Sequence, residues 1–208
     1  MLSVSRIGIA LAATAASSAA PAQEIKPLEQ PAAPAPPAVA PRAVPADPFA
    51  SIPAARPEDV RSMDAIVAAL YDVISGDAGV ERDWNRFRSL FYPGARMIPT
   101  GKNAKTGKIA ARIASPEEYI KANEAFLEGQ GFHEQELTRH VDQFGNIAHI
   151  FSAYEGRNKL TDAKPFVRGI NSIQLLNDGN RWWVMTVAWS PETAETPLPE
   201  KYSKKPDR

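Results

Sequence analysis

Cysteine is absent from this chain, which excludes disulfides, a thiolate nucleophile, cysteine-ligated zinc and a lipid-bearing N-terminal cysteine. Histidine is scarce: His133, His140 and His149 are the three in 208 residues, too few for a histidine-rich metal cage. Net charge is missing as well. With 24 basic and 24 acidic residues the formal charge is +0, so no broad field attracts nucleic acid or an anionic membrane. No apolar run approaches the ~20 residues of a spanning helix. G-x-S-x-G, P-loop, G-x-G-x-x-G and H-E-x-x-H motifs are all lacking. The expectation is therefore no metal, no cofactor, no nucleic-acid partner and no transmembrane segment.

Proline, by contrast, is plentiful, and its placement organises the chain. Of the 19 prolines, ten fall between Pro27 and Pro57, separated largely by alanine. Proline fixes φ and removes an amide donor, so neither helix nor sheet propagates there; residues 23–56 read as an extended linker. Phe49 and Ile52 are its large apolar residues past Leu28, candidates to dock on a following domain. Ahead of the linker, Arg6 precedes a short apolar run, Ile7–Ala13, and Ala20-Pro21-Ala22 has the small-x-small form that signal peptidase reads. Residues 1–22 are expected to be a signal peptide cleaved near Ala22, placing the protein in the periplasm or outside the cell.

A folded α+β domain is expected over residues 57–192, followed by a flexible tail, 193–208. Pro57-Glu58-Asp59 opens a helix, and Met63, Ile66, Val67, Leu70, Tyr71 and Ile74 form its apolar stripe. A second helix spans about Asp83–Tyr92, and Ala95–Ile98 reads as a short strand. Lys102–Arg112 is polar and reads as a solvated loop. Ser115-Pro116-Glu117-Glu118 is a capping box that starts a third helix, closed by Gly129 and Gly131. From Phe132 the period becomes two, predicting two long hairpins: 132–141 with 147–155, and 166–176 with 181–190.

Three stretches carry a family likeness. They are Asp83-Trp84-Asn85-Arg86-Phe87 on to Arg96; Gly145-Asn146-Ile147-Ala148-His149; and Arg168-Gly169-Ile170-Asn171-Ser172-Ile173-Gln174-Leu175 leading into Arg181-Trp182-Trp183-Val184-Met185. In order and spacing the chain resembles the nuclear-transport-factor-2-like superfamily, of the SnoaL-like polyketide-cyclase and ketosteroid-isomerase kind. The resemblance implies a cystatin-like cone: three helices on a strongly curved antiparallel sheet, one blind and largely apolar pocket, and often a dimer formed through the sheet. It implies no particular reaction. The isomerases carry a carboxylate base just before a proline; here Ile98 precedes Pro99, and isoleucine cannot abstract a proton. Ketosteroid-isomerase chemistry is therefore disfavoured.

Site candidates follow from pairing the second hairpin about Asp178-Gly179. One face then carries Arg168, Ile170, Ser172, Gln174, Trp183, Met185, Val187 and Trp189, a mixed apolar and polar lining. A slip of one residue exchanges the faces, so Asn171 stands beside Arg168 and Ser172 as a ligand-binding candidate. Arg168 is read as a clamp for an acidic head group, or else as the partner of Glu155 or Glu136. His140 and His149, with Tyr71 and Tyr154, are the catalytic candidates. Glu134 and Glu136 sit at i, i+2 and read as a solvated strand face. The function expected is a non-catalytic binder of a small apolar or amphipathic, acidic molecule. A cyclase, dehydratase or hydrolase using histidine and tyrosine is the alternative, and an envelope interaction module the third.

Overall fold

The computed structural model describes residues 47–203 apart from residue 104; residues 1–22, expected to be a signal peptide, residues 23–46 of the expected linker and the end of the expected tail lie outside this range. The elements are α1 (Pro57–Val60), α2 (Met63–Ile74), α3 (Trp84–Ser89), β1 (Phe91–Lys102), β2 (Ile109–Ala111), α4 (Pro116–Gln130), β3 (His133–Phe144), β4 (Ile147–Arg157), β5 (Val167–Asn177), β6 (Trp182–Pro191) and α5 (Glu200–Ser203). The strands form one six-stranded sheet in the order β2-β1-β6-β5-β4-β3. The sheet is mixed, which corrects the expectation of an antiparallel one. β1 runs parallel to β6, because the chain from α3 enters the sheet beside its last strand. Bulges in β1, β3 and β6 bend the sheet around the helices.

Local chemistry accounts for the helices. Ser62 interrupts the first expected helix and caps α2, its hydroxyl accepting from the Ala65 amide at 3.1 Å. The apolar stripe of α2 is buried as its periodicity requires. Asp83 caps α3 in the same way. Arg86 then grips the buried Asp59 with two bonds of 2.8 and 2.9 Å, tying α3 to α1. The capping box opens α4, the Glu118 amide donating to Ser115 Oγ and the Ser115 amide to the Glu118 carboxylate.

Arg82 secures both helix ends. It is buried, and its guanidinium donates to the carbonyls of Ile74, Gly76, Asp77, Val80 and Leu127, the last turns of α2 and α4 and the loop between them. A core of Ile66, Val67, Phe87, Leu90, Ile150, Ile173, Leu175 and Val184 fills the narrow part of the space between helices and sheet.

Three expected boundaries move: first, the helix read as Asp83–Tyr92 ends at Ser89, and Phe91 and Tyr92 open β1 instead. The strand read as Ala95–Ile98 extends from Phe91 to Lys102, and the polar segment after it folds back as β2. Within residues 47–56, Phe49 sets its ring against Tyr92 and Trp183, at centroid distances of 5.2 and 5.7 Å. At the other end, Tyr202 of α5 lies 5.7 Å from Phe151.

Candidate functional site

Where the helices diverge from the concave face of the sheet they leave a pocket of about 210 Å³. Leu70 and Ile74 reach it from α2, Phe87 from α3, Met97 from β1, and Tyr119, Asn123, Phe126 and Leu127 from α4. Phe132, Glu134, Tyr154, Val167, Asn171 and Trp189 complete it from the sheet side. Tyr119 stacks on Phe87 at 5.4 Å and meets Trp189 edge-on at 6.0 Å, so the aromatic wall holds itself in place.

Glu134 is the one acidic residue lining the pocket. It is half-buried, its surface opening both here and onto a polar crevice between α2 and β3. Asn171, on β5, donates from Nδ2 to Glu134 Oε1 at 3.0 Å and to the Tyr71 hydroxyl at 3.0 Å. The Tyr71 hydroxyl lies 2.8 Å from Ser152 Oγ, which in turn donates to Glu136, itself ion-paired with Arg139. Asn171 thus stands at the head of the row, donating to Glu134 on one side and, through Tyr71 and Ser152, starting a run of bonds that ends on Glu136 on the other. Arg139 keeps Glu136 supplied with positive charge, whereas Glu134 has one amide.

The electrostatic consequence is a carboxyl that loses its proton only near neutral pH. Burial pushes Glu134 up from 4.5 to about 7, and the Asn171 amide offsets only part of this. Burial, with the nearby Glu134 charge, also pushes the Tyr71, Tyr119 and Tyr154 phenols above the usual tyrosine range. Near neutral pH all three remain hydrogen-bond donors. The hydroxyls of Tyr119 and Tyr154, and Glu134 Oε2, bond to no other described residue, and with Asn123 and Asn171 they make up the polar part of a mostly apolar lining.

The β5–β6 register decides which expected residues arrive here. The turn spans four residues, with Asn177 opposite Trp182, and Met185 is the extra residue of a bulge between the Leu175–Val184 and Gln174–Thr186 pairs. The two together rotate the face: Asn171 lies opposite Trp189, and both line the pocket. Arg168, Ser172, Trp183 and Met185 do not, and the acid-clamping role of Arg168 is corrected accordingly. Arg168 stands opposite Glu155 in the sheet, but its ionic contact, from Nε, is with Glu192 Oε2 at 3.6 Å, while Glu155 pairs with Arg157 and Glu136 with Arg139. Ser172 lies 2.9 Å from His149 Nε2, across β4 and β5 on the opposite face of the sheet. Trp183 donates to Asp178 at 2.7 Å beneath the Arg181 guanidinium, a structural cluster with Phe49.

Of the catalytic candidates, Tyr154 lines the pocket and Tyr71 stands behind Asn171. His149 and His140 do not reach it; His140 is exposed and lies 3.2 Å from Asp142. Glu134, read from sequence as solvated, lines the pocket and is the candidate that reading missed. Its signal lay across the hairpin: with Gly145-Asn146 as the turn and one bulge, Glu134 and Glu136 face Gly156 and Tyr154, an inward-facing strand side.

No family model matches the sequence, and no curated protein matches it. Among solved structures it is similar to a protein of unknown function with a cystatin-like fold from Nostoc punctiforme, at 11% identity over 64% of this chain and 90% of that one, TM-score 0.48. It is also similar to an NTF-2-like protein of unknown function from Silicibacter pomeroyi, at 14% identity over 64% and 94%, TM-score 0.44. A third is an uncharacterised cystatin-like protein from Caulobacter vibrioides, at 11% identity over 65% and 90%, TM-score 0.46.

Proposed function

We propose that this domain binds one small organic molecule, about the size of a single substituted ring, in the pocket that Glu134 lines. One observation carries the reading: a carboxyl, Glu134, and two phenols, Tyr119 and Tyr154, line the same mostly apolar pocket, and Glu134 Oε2 and both hydroxyls bond to no other described residue. A few polar groups set in an apolar lining fix the orientation of a guest. Size follows from volume. A cavity of about 150 Å³ accepts benzene, so about 210 Å³ suits a ring with a few substituents rather than a sterol. A fluorescence or thermal-shift screen of monocyclic compounds tests it. Hits that disappear on filling the pocket by Val167→Phe support the reading; hits that survive that change place the guest elsewhere and overturn it.

The same carboxyl favours a second reading, acid–base chemistry on the guest, since a group titrating near 7 both takes and gives protons at neutral pH. Under that reading Glu134→Gln abolishes turnover while a neutral guest still binds. The histidine–tyrosine mechanism is dropped because no histidine reaches the pocket among the described residues. The setting belongs to the proposal as well: residues 1–22 direct export, and a mature chain beginning at Gln23 in the periplasm or medium is the expected product.

A further inference from the structure

We propose that the guest is a cation, a protonated primary or secondary amine carried on a single ring. This deepens the reading above and rests on it. The pocket offers one carboxyl and six aromatic rings: Phe87, Tyr119, Phe126, Phe132, Tyr154 and Trp189. No lysine, arginine or histidine lines it among the described residues. Aromatic faces present the negative lobe of their quadrupole, and several around one carboxylate make a recognised receptor for ammonium groups. An acidic guest would meet a carboxyl, without a cation to offset its own charge, and would lose its hydration for nothing. A neutral guest can hydrogen-bond the phenols and the carboxyl, yet it leaves the carboxylate charge uncompensated once Glu134 ionises.

The charge pattern around the pocket agrees. Arg139 on the crevice side, the nearest cation along the hydrogen-bonded row, is spent on Glu136 and on Asp64 at 3.1 Å. Glu134 therefore keeps an uncompensated charge whenever it ionises, and a cationic guest supplies the compensation. The pocket's other facing groups do not titrate in the neutral range. Tyr71 from α2, Tyr119 from α4 and Tyr154 from β4 are pushed upward by burial, while Asn171 from β5, Phe87 from α3 and Trp189 from β6 carry no titratable proton there. Toward the crevice stand Glu136 and Arg139, paired with each other, Asp72, paired with Arg86, and His133, 2.9 Å from Asp77. Amine affinity should thus rise as pH increases through the Glu134 transition near 7 and hold until the amine itself loses its proton.

Three probes of equal size separate the possibilities: benzylamine, benzyl alcohol and benzoate, titrated calorimetrically into the mature full chain at about pH 5.5 and about pH 8. The expected order at the higher pH is benzylamine, then benzyl alcohol, then benzoate. Glu134→Gln should weaken benzylamine by roughly 30-fold or more and benzyl alcohol by less than about 5-fold. His133→Gln should leave the pH dependence in place. Benzoate binding as tightly as benzylamine, or benzylamine indifferent to Glu134→Gln in a variant with wild-type near-ultraviolet dichroism, overturns the cation assignment while leaving a ring-sized guest standing. Failure of all three probes to bind overturns the ring-sized guest and the cation together.

Discussion

Replacing Glu134 by glutamine should stabilise the ligand-free protein at alkaline pH and do little at acid pH. Glutamine keeps the shape and still accepts the Asn171 Nδ2 bond through its own oxygen. What it removes is the ionisation. The folded-state value of about 7 lies above the 4.5 of an ordinary glutamate, so the folded protein binds this proton more tightly than the unfolded chain. That advantage is complete below about pH 4.5 and is lost as pH rises through about 7. Above that, the native state carries an ionised carboxylate in an apolar wall. The displacement from 4.5 to about 7 corresponds to on the order of 3 kcal/mol. Water entering from the crevice would reduce this, so a gain of about 1–3 kcal/mol at pH ~8 is the expected range. For a domain of this size that is roughly 3–10 °C in Tm. Urea unfolding of wild type and variant across pH 5 to pH 8.5 measures it. Two curves that stay parallel over the whole range would refute the reasoning, because Glu134 would then titrate alike in both states.

The remaining expectations concern the frame around the pocket. Ser115→Ala should cost about 1 kcal/mol, since the Glu118 amide at the start of α4 loses its acceptor; an unchanged urea midpoint would contradict the capping role. Arg82→Met should destabilise far more, on the order of 3–5 kcal/mol, by withdrawing the guanidinium from five carbonyls, of which Gly76 and Asp77 keep a backbone amide donor; hydrogen exchange should quicken first at the C-terminal turns of α2 and α4. Arg168→Leu should change stability by less than about 1 kcal/mol, because its ion pair with Glu192 is long and partly solvated. It should leave affinity for pocket ligands untouched, and a loss of affinity would return Arg168 to the site.

Local rules located the main helices and the strands of both hairpins, though not the break at Ser62, the end of α3 or the hairpin turns. The stripe from Ile66 to Ile74, the Ser115 box and the two period-two hairpins are written in consecutive residues, and each appears where that pattern puts it. The cone likeness predicted helices over a bent sheet with a pocket between them, and that is the arrangement observed. What local pattern could not supply was register across distance. A four-residue turn in place of two, and a bulge at Met185, exchanged the pocket face of β5–β6 and with it Arg168 for Asn171. The parallel β1–β6 pairing depends on where the chain leaves α3, which no periodicity encodes. Glu134 was hidden for a related reason. Two glutamates on one strand read as solvated until the opposite strand is placed, and only then does Tyr154 show that the face turns inward.

The most direct test of the central claim is the titration of Glu134 itself, followed through its carboxyl carbon by NMR in glutamate-labelled protein and assigned by its disappearance in Glu134→Gln. Alone, the carboxyl should titrate near 7. With saturating benzylamine its midpoint should fall by at least one pH unit, as the bound ammonium favours the ionised form. A midpoint near 4.5 that the amine does not move would show a solvated glutamate with no guest beside it, and would contradict the account.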